Sequence, residues 1–375
     1  MKNSSWRFKL LNKFADNPST ISVSASILAI FGGLIAGLIV MIVASPSQAF
    51  NGFGTILTGM FRGGTTSMGN TIYYAVPIIL TGLSVAFAFR TGLFNIGASG
   101  QVTVGAFTAV FLGYHMTFTG AWIVALLGAM VAGAVWGAIP GLLKAFRNVN
   151  EVVASIMLNY VAMYLNTMLI KALIYNQAYA RAQAPSSNAQ LPKWFLDNVF
   201  SGSQLNIGIF IAILVVIVTH IILNKTTFGY ELKAVGFNKN ASKYAGMNEK
   251  RNIVLAMTIA GAIAGIAGAT LYLVSGKYLT PANHLMQEGF TGIAISLLGL
   301  SAPIGVFIAG LFYGALEMGG YYLQVTTTFV PQIIDIIIAV IIYFSALSLF
   351  LQRFVAEFIK RQIEKDVELA EGSEV

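Results

Sequence analysis

Cysteine is absent from this 375-residue sequence, which excludes a disulfide framework, a thiolate metal site and a cysteine nucleophile. Charge is scarce: Asp, Glu, Lys and Arg make up 10% of the residues, against about 25% in soluble domains, too few to clothe a globule. There is no G-x-x-x-x-G-K-S/T phosphate loop, since the one Gly-Lys pair, Gly276-Lys277, runs into Tyr278; the chain is not expected to hydrolyse ATP. His115, His220 and His284 lie far apart in sequence, and no H-E-x-x-H spacing gathers metal ligands on one helical face. No Ser/His or Ser/Lys pair stands out, and intramembrane hydroxyls can bond their own helix carbonyls. No catalytic residue, metal or cofactor is expected.

What is present is apolar sequence, 57% of the chain. Runs of about 17 to 25 residues with few charges suit a hydrocarbon slab of about 30 Å. They fall near 21–44, 69–89, 102–118, 120–143, 151–174, 205–223, 253–274, 289–300, 303–320 and 331–351. The expected fold is an all-α polytopic membrane bundle of about ten transmembrane helices with both termini on one side. The run 289–300 is too short to span unaided, so a broken or re-entrant helix is expected there.

The net charge of +8 reads as a cytoplasmic face rather than a nucleic-acid surface. With the N-terminus inside, all but five of the 22 Lys and Arg lie inside; Arg62, Lys171, Arg181, Lys193 and Lys277 lie outside. That bias sets both termini in the cytoplasm. The expected organisation is a cytoplasmic segment 1–20, a transmembrane domain 21–351 and a cytoplasmic tail 352–375. Two long loops interrupt the domain: 175–204 outside, with Trp194 and Phe195 placed to meet lipid headgroups, and 224–252 in the cytoplasm.

Two interrupted stretches carry chemistry. After Arg90 the chain re-enters apolar sequence through Gly92, Gly97 and Gly100 and the amides Asn95 and Gln101. Non-helical backbone at membrane depth survives only when buried in protein or lining a wet cavity. The amides therefore either satisfy freed backbone groups or meet a polar solute, unless the segment is an ordinary turn. A second stretch from Thr291 through Gly299 and Pro303 to Gly305 breaks similarly, and paired breaks in two halves point to a transport path. Glu288, Glu317 and Asp335 are costly in hydrocarbon and should face the interior, water or a partner. Gly133, Gly137 and Gly141, with Gly261 and Gly265, have the four-residue spacing that lets helices approach closely.

In 224–252, Leu232 and Val235, then Ala241, Tyr244 and Ala245, fall at helical intervals on either side of Gly236. Two short amphipathic helices fit. Such a unit cannot bury its faces alone; it docks to another protein, or lies on anionic lipid.

These residues resemble the membrane permease subunits of ABC importers of the ribose, branched-chain amino-acid and nucleoside type. Residues 92–101, GLFNIGASGQ, are similar to that family's G-L-x-N-I-G-x-E-G-Q segment, with Ser99 where an acid is common. Residues 227–238 with Ala241 and Gly246 resemble its cytoplasmic coupling segment F-G-x-x-L-R-A-V-G-x-N, with Lys233 replacing Arg. Residues 150–160, NEVVASIMLNY, are similar to N-E-V-I-x-x-x-M-L-N-Y of the nucleoside branch.

The resemblance implies a nucleoside permease working with a cytoplasmic ATP-binding subunit, a second permease subunit of related but different sequence and an extracytoplasmic substrate-binding lipoprotein. It implies an ATPase coupling loop containing Phe228, Gly229, Glu231, Lys233, Gly236, Asn238 and Gly246. Asn95, Gln101, Asn159, Tyr160 and Glu317 are the candidates for the substrate pathway, amides and a ring suited to a nucleobase and ribose. A simple-sugar importer is the close rival. An ion-coupled secondary transporter would work alone under a gradient, and an intramembrane enzyme lacks a catalytic constellation.

Overall fold

In a computed structural model, residues 18–330 and 332–346 are described, with the short stretches 356–357 and 360–362. The expected N-terminal segment lies outside these up to residue 17, as do most of the tail and the end of the run 331–351. The described chain is helical apart from a two-stranded hairpin and its loops.

Two compact units are formed. The first is made by the described residues among 1–54 and 326–375. Its principal helix, α1 (Pro18–Ala44), lies beside α14 (Gln332–Ala346), with Gly32 against the Phe344 ring and Gly37 against Ile337. Gln48 accepts hydrogen bonds from the Thr328 backbone N–H and hydroxyl.

The second unit, residues 55–325, holds α3 (Gly64–Phe89), α4 (Ala98–His115), α5 (Ala121–Arg147), α6 (Glu151–Leu173), α8 (Gly208–Lys225), α11 (Glu249–Tyr272), α12 (Gln287–Leu298) and α13 (Pro303–Thr326). The deeply buried α3, α4 and α11 form its centre, while α5, α6 and α8 leave broad apolar faces exposed. Exposed Leu127, Val131, Val135, Met157, Leu214 and Ile217 suit acyl chains as well as a protein interior. Seven helices among the described residues are long and apolar enough to cross a membrane.

The expected glycine seam is present. Gly133 and Gly137 meet Gly261 and Gly265 backbone to backbone, and Gly141 abuts Met257 and Val254. Gly105 against Gly265 and Gly268 against Val102 and Ala106 add α4 to it. A side chain at these positions would force the helices apart.

Three expected spans are not among the seven. Most of the run 102–118 belongs to α4, largely buried, with three Gly, two Thr and one Gln in the helix. The run 289–300 is the twelve-residue α12. Of 331–351, only 332–346 is described as helix. A helix not expected from hydropathy, α2 (Pro46–Arg62), bridges the gap before α3; its second half packs through Ile56 and Gly59 onto Gly319 of α13.

The long loop after α6 is pinned to the bundle. Its hairpin, β1 (Tyr175–Asn176) with β2 (Arg181–Ala182), sets the Arg181 guanidinium 3.4 Å from the Tyr278 ring centroid. Backbone bonds from Ala182, Ser186 and Leu191 to Leu279, Gly113 and Leu273 hold the rest. Trp194 and Phe195 immediately precede the short α7 (Leu196–Val199) and are exposed.

Candidate functional site

At the end of α3 the chain turns sharply. Gly92 has φ +71°, a left-handed conformation that glycine adopts without steric cost, and residues 91–97 run to α4 without helix. The freed polar groups are met by amides. Asn95 donates to the Gln101 side-chain oxygen at 2.9 Å and to Ser84 Oγ at 3.2 Å, and Gln101 donates back to Asn95 at 3.1 Å. From α6, Asn159 accepts from the Gly100 N–H at 2.8 Å and donates to the Ile96 carbonyl at 3.0 Å.

Three of the pathway candidates therefore meet at one break, Asn95, Gln101 and Asn159, all buried. They direct these hydrogen bonds to the protein rather than into an open channel, tying α3, α4 and α6 together. Tyr160 is not brought to them. Its neighbour Asn159 faces inward, and one residue turns the helix by about 100°, leaving Tyr160 46% exposed on the outer face of α6. Around the same break, Thr91 Oγ1, Trp136 Nε1 and Ser155 Oγ are buried without a hydrogen-bond partner.

The segment 226–248 forms two helices, α9 (Thr227–Phe237) and α10 (Lys239–Tyr244). Thr226 caps the first by accepting from the Gly229 N–H, and Asn238 caps the second by accepting from that of Ala241, as short polar residues do at helix starts. Leu232 and Val235 of α9 are buried in a core with Phe87, Leu93, Leu223 and Met257, and Phe228 packs against it. Gly229 sits on the backbone of Ile222 and Leu223. Glu231 accepts from Asn252 at 2.9 Å, Lys233 donates to Asn224 at 2.9 Å, and Gly246 takes φ +83° in the turn that follows.

Gly236 lies directly on the first break. A Cβ there would stand 2.8 Å from the Arg90 carbonyl oxygen and 2.9 Å from the Gly92 nitrogen. The hairpin also carries Phe237 and Tyr244, 92% and 93% exposed, with Tyr230 also open.

The second break meets the same point. Between α12 and α13, Leu300 and Ser301 adopt left-handed backbone, and the Ser301 carbonyl accepts from Arg90 Nε at 3.1 Å. Burial lowers the Arg90 pKa below its ordinary value; Lys233 is lowered by burial and by the Arg90 charge. Arg90 thus joins both interrupted segments and the α9–α10 hairpin in one hub.

Glu317 lies elsewhere. On α13 it bonds Tyr313, which also engages Thr291 of α12. Tyr73 and Tyr74, their rings 5.3 Å apart, belong to the same neighbourhood, as do Tyr272 and Glu288. Sequence reading singled out the two acids but not these tyrosines, because no local motif links positions 73, 272 and 313.

Residues 67–346 match the family described as branched-chain amino acid transport system, permease component. The guanosine ABC transporter permease protein NupP of Bacillus subtilis is 40% identical over 90% of this chain and 96% of its own length. The nucleoside ABC transporter permease protein NupB of Lactococcus lactis is 33% identical, over 90% of this chain and 94% of its own. The glucose ABC transporter permease protein TsgB13 of Haloferax volcanii is 30% identical, over 90% of each. No solved structure matches.

Proposed function

We infer that this chain works as its family does: it belongs to the permease components of branched-chain amino acid transport systems, and it is the membrane subunit of an ABC importer for nucleosides. The nucleoside assignment draws on the guanosine and nucleoside permeases among its relatives. Energy comes from separate ATP-binding subunits, and solute from an extracytoplasmic binding lipoprotein. A second, related permease completes the pore.

The Lys/Arg bias supports ten crossings with both ends in the cytoplasm, the three shorter runs adding to the seven long helices. The domain then runs from 21 to 351, with the hub at its cytoplasmic end and the loop 175–204 outside, held still enough to receive the binding protein.

The observation that carries the mechanism is the seating of Gly236 on the Arg90–Gly92 turn, with exposed aromatic side chains on the same hairpin. Phe237 and Tyr244 insert into the ATP-binding subunit, as buried aromatic anchors do at interfaces. Closure of the ATPase pair moves α9, and backbone contact passes that motion to the turn at Gly92. The Asn95–Gln101 pair and Asn159 carry it into α4 and α6, and Arg90 carries it to the second break. In this reading the three amides position the gate of the pathway and Glu317 lines it.

Uptake of labelled guanosine, uridine and ribose by a strain lacking this chain, with and without its restoration, tests the assignment. Restored uptake of the nucleosides is expected. Restoration of ribose alone would move the function to sugars, and uptake by the purified chain without ATP or partners would overturn the ABC mechanism.

A further inference from the structure

Well away from the hub, polar groups collect between α3, α11, α12 and α13. Tyr74 precedes Arg90 by sixteen residues of α3, about 24 Å at 1.5 Å per residue. Close helix packing builds the place. Gly310 and Gly314 of α13 lie against Ile79, Thr71 and Ala75 of α3, and Gly292 of α12 lies against Thr81. Gly289 meets Ser99 of α4, whose hydroxyl donates to the Met286 carbonyl at 2.8 Å, and Tyr272 closes from α11 with its hydroxyl 3.6 Å from Met286 Sδ.

These contacts bring Tyr73, Tyr74, Tyr272, Tyr313, Glu288 and Glu317 together. Tyr313 bonds Glu317 and Thr291; Glu288 acts on Tyr73, Tyr272 and Tyr313, and Glu317 on Tyr74. No Lys or Arg of the described residues is among the groups acting on these tyrosines. Tyr74, Tyr272, Glu288, Thr291, Tyr313 and Glu317 are neither sealed nor fully open, and acids partly exposed within a membrane bundle call for a wet recess rather than lipid. Thr71, one turn before Tyr74 and beside Gly314, is 3% exposed with its hydroxyl unpartnered.

The chemistry is selective. Carboxyl and hydroxyl oxygens accept hydrogen bonds, so a solute that brings several O–H or N–H donors fits. Tyrosine faces favour a flat ring. A ribose diol on a heterocyclic base meets both requirements.

We propose that Tyr73, Tyr74, Tyr272 and Tyr313 with Glu288 and Glu317 form a solute-binding station in the pathway, the carboxylates taking the ribose hydroxyls and the tyrosine rings the base. This rests on the nucleoside reading above and names the residues that select within it.

The test compares guanosine with 2′,3′-dideoxyguanosine in the complete importer reconstituted in vesicles with its ATPase and binding protein. The binding protein is common to all variants, so the change in the ratio of the two uptake rates reports the permease alone. Glu288→Gln or Glu317→Gln should lower the guanosine-to-dideoxyguanosine ratio about tenfold, the effect of one charged hydrogen bond. Tyr313→Phe keeps the ring, removes the hydroxyl that engages Glu317 and should shift the ratio the same way by less. Co-purification of the ATPase identifies variants that assemble. A wild-type ratio in all three variants, or parallel loss of both solutes at an unchanged ratio, overturns the station. Uptake of neither nucleoside by the wild-type importer overturns the nucleoside reading itself, and the station with it.

Discussion

Replacing Gly236 with alanine adds one methyl group at the point where the hairpin bears on the bundle. That Cβ would lie 2.8 Å from the Arg90 oxygen, 2.9 Å from the Gly92 nitrogen and 2.9 Å from the Thr91 carbonyl carbon. All three are backbone atoms, so no side chain can swing aside. The turn cannot yield easily either, since Gly92 is already at φ +71° and is braced by the amides beyond it. The helix α9 must therefore rise off its seat. Overpacking of this kind costs about 1–3 kcal/mol, which shifts the equilibrium between seated and lifted positions about 5- to 150-fold. Phe237 and Tyr244 are exposed rather than packed on the bundle and remain available to the ATPase. The expected phenotype of Gly236→Ala is thus uncoupling: the ATPase co-purifies and hydrolyses ATP, while nucleoside imported per ATP falls at least fivefold. The assay is paired measurement of uptake and phosphate release in vesicles containing the complete importer. A wild-type ratio of uptake to hydrolysis would refute transmission through this contact.

Phe237→Ala combined with Tyr244→Ala should have the converse effect, an inserted permease whose recovery of ATPase on affinity purification falls at least tenfold, since aromatic anchors at interfaces each contribute about 2 kcal/mol or more. Asn159→Leu strands the Gly100 N–H and the Ile96 carbonyl; at about 1–3 kcal/mol for each buried unsatisfied group, it should lower the melting temperature in detergent, whereas Tyr160→Leu on the exposed face should leave it near wild type. Gly261→Val would drive a side chain into the Gly133 carbonyl and should sharply reduce folded protein, measured as monodisperse yield after extraction.

The features legible in sequence are those encoded by neighbouring residues. Eight of the ten expected apolar runs coincide with long helices, and the segment 226–248 forms two short helices as its apolar spacing requires, though they meet at Asn238 and Gly236 lies inside the first. The seam of Gly133, Gly137, Gly261 and Gly265 was readable from a four-residue interval. Other features were not local. Helix α2 escaped because Gln48, Asn51, Thr55 and Thr58 dilute its hydropathy. Asn95 and Gln101 are recognisable as polar groups at a break and Asn159 from its motif, but the bonds of Asn159 to Gly100 and Ile96 depend on α6 crossing the start of α4. Tyr160 is not brought to the amides, because a motif records adjacency along the chain and not direction around a helix. The tyrosines at 73, 74, 272 and 313 read singly as ordinary membrane aromatics, and only packing brings them together.

The backbone-on-backbone seam between α5 and α11 has a mechanical meaning. Where glycine meets glycine there are no rotamers to exchange and no interstitial volume to redistribute, so the two rods can neither roll nor breathe against each other. They supply the importer with a rigid keel. Spectroscopic labels attached to exposed positions of these rods would provide a stationary reference frame, against which the excursion of the other spans during a turnover could be measured.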